Sequence, residues 1–175
     1  EFEKICRGGN QLPIANEYAW GNTTITDLAS PTNPGTSTET WAIGNCNYGT
    51  GTGSNPIRCG ALATNATGRT ASGATYYGVM EMSGNIWEWA VSAADVTGRA
   101  FDGSHGDGYL AASGEHDMPL WPSAVSGAGW SIRGGGYYNA GNIYVFSISD
   151  RYYGSYGSLT KNAGNYGGRG CRTGE

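Results

Sequence analysis

The side chains best placed for chemistry in this chain are suited to recognition. Between Arg133 and Arg172 stand seven of its 12 tyrosines, interleaved with Asn139, Asn142, Asn162, Asn165, Ser147, Ser149, Ser155, Ser158 and many glycines, while Trp, Met, Glu and Gln are absent. Tyrosine offers a large, rigid, amphipathic contact for the freezing of only two side-chain torsions, and Ser, Gly and Asn add adaptable hydrogen bonds on permissive backbone. The expected ligand surface is therefore drawn from Tyr137, Tyr138, Asn139, Asn142, Tyr144, Phe146, Ser147, Tyr152, Tyr153, Tyr156, Asn165 and Tyr166. A strand here would turn alternate side chains into the core, and Tyr144 and Phe146 are the first candidates for that fate. Rings with amides and hydroxyls between them suit a protein epitope or a glycan. The competing reading is an ordinary Gly- and Asn-rich loop region of an irregular domain.

Other chemistries find less support. His105 lies between Asp102 and Asp107, which invites proton transfer, but its glycine-flanked setting in SHGDG reads as a turn and no nucleophile motif accompanies it. Four cysteines, Cys6, Cys46, Cys59 and Cys171, allow three disulfide pairings in an oxidising compartment and are as well explained as buried thiols. Their spacing is not that of a zinc knuckle, and neither histidine is near them in sequence. Arg133, Arg151, Arg169 and Arg172 are expected to work internally, tying loop carbonyls or carboxylates.

Composition narrows the class. The chain has 175 residues, 31 of them glycine, with only 14% charged residues and six tryptophans spread along it. That is a single domain, loop-dominated yet folded, because each Trp can bury a large apolar area. A net charge of −4 with only two lysines leaves no basic face, so nucleic acid and anionic membrane are disfavoured as partners. No apolar run approaches the roughly 18 residues of a membrane span.

The elements that must hold the tyrosine surface are few. EFEKICRGG puts Phe2, Ile5 and Cys6 on one helical face with Gly8 and Gly9 as the stop, and reads as the last turns of a helix begun upstream. Residues 11–68 read mostly as loops held by Trp20, Trp41 and the Ile57–Leu62 segment. Tyr77, Val79, Ile86, Trp87, Trp89 and Val91 supply strand-forming bulk around a Ser83-Gly84-Asn85 turn. Residues 98–122 are loop chemistry, Gly129–Arg133 is a strand entering the core, Tyr144–Ser149 alternates as a strand, and Cys171 belongs to a closing strand.

In order along the chain, EFEKICRGG, YAWGN, PIRCG, YYGVMEMSGNIWEW, IRGGGYY and GGRGCR resemble the formylglycine-generating enzyme (sulfatase-modifying factor) family, GNIWEW and RGGG being the most specific. The resemblance spans nearly the whole chain. It implies an α+β, irregular, loop-rich variant of the C-type lectin fold, one domain over 1–175, with family strands and a helix preceding the position of Glu1. It also implies an apolar seam, and with it marginal stability or self-association, if those upstream strands are absent. The enzymes bind copper and activate oxygen at two cysteines just after the RGGS-like strand, and the matching positions here are Asn139 and Tyr144. Neither can supply a thiolate, so oxidase activity is not expected, and no cofactor is required. A family calcium site implies that Glu81 and Glu88, with the carbonyls of Gly84 and Ile86, hold a structural Ca²⁺; the alternative is that Glu88 accepts loop N–H groups or pairs with an arginine. The sugar-binding triplet of calcium-dependent lectins is absent.

The GRAFDGSHGDGYL segment followed by WP, and the GGGYYN to GGRGCR ending, resemble a non-catalytic branch of this fold, the variable proteins of diversity-generating retroelements. In that branch adenine-directed rewriting of Asn codons yields Tyr, Asp, Ser, Gly, Phe, Ile or Val among others, and never Trp, Met, Glu, Gln or Lys. Between Tyr137 and Tyr166 only Lys161 departs from that rule. The resemblance implies a ligand-binding protein of a cell or virion surface. An oxidase of the same fold, active or degenerate, and a structural domain of a surface assembly are the alternatives.

Overall fold

The computed structural model describes residues 1–49, 55–104, 106–123, 126–154 and 164–168. Regular structure is scarce. Among the described residues three helices, α1 (Phe2–Arg7), α2 (Arg69–Ser72) and α3 (Val96–Arg99), accompany three strands, β1 (Trp87–Val91), β2 (Trp130–Arg133) and β3 (Tyr166–Gly167). The arrangement is mixed α+β and loop-rich. The strands form one sheet in the order β2-β1-β3. β1 runs antiparallel to β2, with Glu88 opposite Arg133 and Val91 opposite Trp130, and parallel to β3, with Trp87 opposite Tyr166.

The N-terminal segment forms the expected helix, burying Cys6 and packing Phe2 and Ile5 against the core. β2 falls inside the strand expected over 129–133, whereas of the bulk expected around Ser83-Gly84-Asn85 only Trp87–Val91 pairs into a ladder. Tyr77 and Val79 sit instead in a turn, where Thr75 N–H donates to the Val79 carbonyl at 2.9 Å and Val79 N–H to the Thr75 hydroxyl at 2.9 Å. Helices α2 and α3 have no precedent in the hydrophobic pattern. Four residues are too short to show a period, and α3 declares itself only through the Asp95 side chain capping Thr97 N–H at 2.8 Å.

The expected strand over Tyr144–Ser149 is a 3-10 turn, Ile143–Phe146. The turn breaks the alternation, so Tyr144 and Phe146, which a strand would put on one face, separate. Phe146 is fully buried and Tyr144 is 70% exposed. The closing strand assigned to Cys171 lies outside the described residues, and β3, a few residues earlier, pairs with β1.

The core gathers Cys6, Tyr18, Trp20, Cys46, Met82, Trp87, Ile132, Val145, Phe146 and Ile148 from every part of the chain. The RGGG run is explained by close approach. Gly134 and Gly135 have φ of 87° and 78°, and a Cβ at Gly135 would lie 2.3 Å from the Phe146 ring. Behind this core an ionic cluster joins α1 to the last quarter of the chain. The Glu3 carboxylate receives Arg151, Arg7 at 3.5 Å and Arg133 at 3.9 Å, while Arg7 also bonds Glu17. Arg133 lies over the Phe2 ring at 4.8 Å and donates to the Ile148 carbonyl, which is the internal work expected of it.

Gly135→Ala should destabilise the protein by about 2–4 kcal/mol in urea titration, because the left-handed backbone and the clash with Phe146 act together. Leu12→Ser, at an 87% exposed position, should change stability by less than about 0.5 kcal/mol. A second expectation concerns pH. Burial, then Asp27 and Glu81, push the Cys46 thiol well above its ordinary range. The stabilisation is complete below the unfolded thiol's value of about 8.5 and is lost as pH rises towards the folded value, since only the unfolded chain then ionises. Tyr18 and Tyr48, raised first by burial, add a slope of the same sign at higher pH. Urea midpoints should therefore fall on the alkaline side, and Cys46→Ala should flatten the first part of that fall whatever its effect on the neutral-pH baseline.

Candidate functional site

Strand β1 places Trp87 and Trp89 two residues apart and so on one face of the sheet. They organise the tyrosines into two layers. In the inner layer Tyr153 meets Trp87 edge to face, with centroids 5.1 Å apart and planes at 90°, and Tyr166 stacks on Trp89 at 5.7 Å and 29°. Trp130 closes on Trp89 from β2 at 6.3 Å and 77°. Gly136 allows this packing, since a Cβ there would stand 2.9 Å from Trp87 Cδ1.

Two exposed rings each stand on a half-buried one. Tyr152 stands on Tyr153 at 4.8 Å and 89°, and Tyr138 on Tyr137 at 5.2 Å and 83°, leaving Tyr152 75% and Tyr138 50% exposed. The Asn165 amide donates to the Tyr138 hydroxyl, and the Asn165 carbonyl accepts Trp87 N–H at 2.8 Å. Tyr138 is thereby tied to β1, on whose Trp87 ring Tyr153 packs. Asn142 is exposed, and Asn139 uses its Oδ1 to accept Gly136 N–H at 2.9 Å. Tyr144 stands on the 3-10 turn near Tyr18, whose phenol is raised first by burial, then by Cys46, Tyr48 and Tyr144.

Of the residues expected at the ligand surface, Tyr138, Asn142, Tyr144 and Tyr152 are exposed, and Tyr137, Asn139, Tyr153 and Tyr166 are half-buried supports. Three expectations need correcting. Phe146 is a core ring packed on Tyr48 at 5.2 Å, Ser147 is buried with its N–H donating to the Tyr144 carbonyl, and Asn165 is 1% exposed because it stitches β1 to Tyr138. Tyr156, His105, Arg169, Arg172 and Cys171 lie outside the described residues.

No charged residue occurs from 134 to 149. Beyond that stretch, Arg151 is held by Glu3, and the Asp150 carboxyl is raised by burial against the opposing pull of Tyr152 N–H and Arg133.

A second feature lies behind β1. Glu81 and Glu88, both buried, line a cavity of about 260 Å³ with Ile57, Cys59, Asn85, Ile86, Gly167 and Gly168. Two buried carboxylates beside the Ile86 backbone suit a hard cation's demand for oxygen. The other expected donor fits less well. Gly84 packs on Cys46 and Asn47, and its carbonyl already accepts Ile86 N–H at 2.9 Å, while both Glu81 oxygens accept Gly60 N–H at 3.0–3.2 Å. Among the described residues no three His, Cys, Asp or Glu side chains converge to hold a metal ion. Cys59 and Asn85 were not foreseen at this cavity. Asn85 was legible only as a turn residue, and its left-handed φ of 66° fits that reading.

Of the described cysteines Cys6 and Cys46 are buried and Cys59 is exposed, and Cys46 donates its thiol hydrogen to the Ser83 carbonyl at 3.0 Å. A thiol held neutral in this way is a poor metal ligand. No helix among the described residues is long and apolar enough to cross a membrane.

Comparison with known proteins bears on the ancestry of this arrangement. No curated protein and no solved structure matches the chain. The model of the family described as the sulfatase-modifying factor enzyme 1-like domain matches residues 1–164, which include α1, the GNIWEW turn, β2 and the RGGG run. The chain belongs to the sulfatase-modifying factor enzyme 1-like domain family.

Proposed function

We propose that this chain is a non-catalytic recognition protein with a C-type-lectin-like variant of the family's fold, its last quarter being a ligand surface diversified in the manner of retroelement variable proteins. One observation carries the reading. By the family resemblance, the two positions where the enzymes need thiolates correspond to Asn139 and Tyr144, and these belong to the stretch that presents the exposed rings of Tyr138, Tyr144 and Tyr152. A carboxamide and a phenol offer hydrogen bonds and contact area, which serve binding, but neither the soft ligation nor the redox chemistry that copper-dependent oxygen activation requires.

The layering of the site supports the same reading. A surface that is to vary without unfolding the domain needs its variable rings seated on a fixed base. Here Trp87, Trp89 and Trp130 provide that base, while Tyr138 and Tyr152 contribute mainly exposed area. The setting proposed for such a protein is a cell or virion surface. A structural Ca²⁺ held from Glu81 and Glu88 is part of the proposal, with the role of steadying the turn that leads into β1.

Three results are expected. Sequencing around the gene should find a near-copy of the codons for residues 133–172 that differs mainly at adenines, beside a reverse-transcriptase gene; an isolated gene without such a copy would remove the diversification claim. Copper-loaded protein given a cysteine-containing sulfatase peptide should consume no oxygen above the blank, and turnover would restore the oxidase reading. Excess Ca²⁺ over an EDTA-treated sample should raise unfolding free energy by about 2.7 kcal/mol at a hundredfold excess over Kd. Glu88→Gln should abolish that increment, and an increment that survives in Glu88→Gln would place calcium elsewhere.

A further inference from the structure

We infer that Asn65 is an acceptor site for an N-linked glycan, presented by the exposed turn at residues 64–67 to a transferase carrying a polyprenyl-diphosphate-linked oligosaccharide, and that the fold withholds the chain's other candidate, Asn22. Two Asn-x-Thr triplets occur in the sequence, Asn22-Thr23-Thr24 and Asn65-Ala66-Thr67. Each supplies the carboxamide that is glycosylated and, two residues on, the hydroxyl that completes the acceptor motif. Transfer forms a bond from the asparagine Nδ2 to the anomeric carbon of the sugar and breaks the bond from that carbon to the diphosphate. The diphosphate leaves with the bonding electrons, Nδ2 gives up one proton, and nothing is oxidised or reduced.

The two triplets differ in what must be broken to present them. At Asn22 both ends of the carboxamide are engaged: Oδ1 accepts Trp20 Nε1–H at 3.1 Å and Thr24 N–H at 3.0 Å, and Nδ2 donates to the Thr70 hydroxyl at 3.1 Å. The Asn22 carbonyl accepts Tyr18 N–H at 2.9 Å, and the Thr24 carbonyl accepts the same Trp20 Nε1–H at 2.9 Å. Trp20 is 2% exposed in the core, so drawing this triplet into an active site unseats a core ring. Asn65 is exposed, as are Ala63, Thr64, Ala66 and Gly68 around it, and its carboxamide makes no hydrogen bond among the described residues. The bonds that shape its turn stay within the turn. Thr67 N–H and hydroxyl donate to the Thr64 carbonyl at 3.3 and 3.2 Å, while the Thr67 hydroxyl accepts Thr64 N–H at 2.8 Å and the Thr64 hydroxyl accepts Ala66 N–H at 3.2 Å. Water can replace all of them when the turn opens, which puts it at the low end of local opening free energies. Its base stays folded meanwhile: Leu62 before it is buried, and after it Arg69 of α2 donates to the Cys6 and Ala19 carbonyls at 2.8 and 3.0 Å. Residues 63–68 carry only small side chains, and a Cβ at Gly68 would meet nothing within 4 Å, so a bulky glycan has room.

The test gives the folded full chain, made without glycans, to an oligosaccharyltransferase that acts on folded proteins, together with a lipid-linked oligosaccharide of known mass. Intact mass and peptide mapping are the readouts, so the result does not depend on what the tyrosine surface binds. Transfer of a single glycan is expected, at Asn65 at least about tenfold faster than at Asn22, because of the additional hydrogen bonds that Asn22 must break. Asn65→Gln should accept none while unfolding at the wild-type temperature. Synthetic peptides covering residues 18–28 and 61–71 should be modified at similar rates, which assigns the selectivity to the fold. Comparable rates at Asn22 and Asn65 in the folded chain overturn the inference. So does the absence of transfer to the folded chain when the 61–71 peptide is modified, or a preference between the peptides as large as that of the folded chain.

Discussion

A protein with so little regular structure must satisfy its buried backbone polar groups by other means, and the Asn85 side chain is where that requirement concentrates. Its Oδ1 accepts Ile57 N–H at 2.8 Å and the Asn47 amide at 3.2 Å, its Nδ2 donates to the Ile57 carbonyl at 3.1 Å, and its own carbonyl accepts Tyr137 N–H at 2.8 Å. One left-handed residue thus pins the long first loop region, the entrance to β1 and the start of the tyrosine stretch. Each of these groups, left without a partner in the interior, would cost about 1–3 kcal/mol. Ser83 repeats the device on a smaller scale, accepting Ala19 N–H and donating to the Phe146 carbonyl at 2.7 Å.

This economy explains how the molecule separates support from surface. The central sheet contributes two tryptophans on one face, the half-buried tyrosines pack on them, and the exposed tyrosines stand on those. Energy of folding lies in the lower layers, where rings are enclosed. In the upper layer Tyr152, 75% exposed, contributes mainly surface, whereas the Tyr138 hydroxyl also accepts from the buried Asn165 amide. On the far side the Glu3 cluster performs a related service, fastening the chain after Ile148 to α1 through arginines rather than through a ladder.

The sequence was legible where local chemistry decides. The first helix, strand β2 and the core part of β1 follow from apolar bulk and glycine stops. It was less legible over 75–82 and 143–148. There β-forming residues were drawn into turns by contacts distant in sequence: Tyr76 N–H donates to the Cys6 carbonyl, and Ile148 N–H to the Glu17 carbonyl. Strand propensity at Tyr77, Val79, Val145 and Ile148 is real but measures fit to a pleated surface, and among the described residues no neighbouring strand pairs with them.

By itself the sequence determined the family, through the order of GNIWEW and RGGG, and it determined the chemical character of residues 134–149, because residue types alone exclude thiols and charges there. Only the tertiary structure decided which of those side chains meet solvent. Phe146, Ser147 and Asn165 share the alphabet of their exposed neighbours, yet packing on Tyr48, the tight turn at Ile143–Phe146 and the pairing of β3 with β1 take them inside. The physical reason is that burial in a loop-rich domain has no period to read. It is set residue by residue, by whichever distant group supplies the missing hydrogen bond or fills the adjoining space.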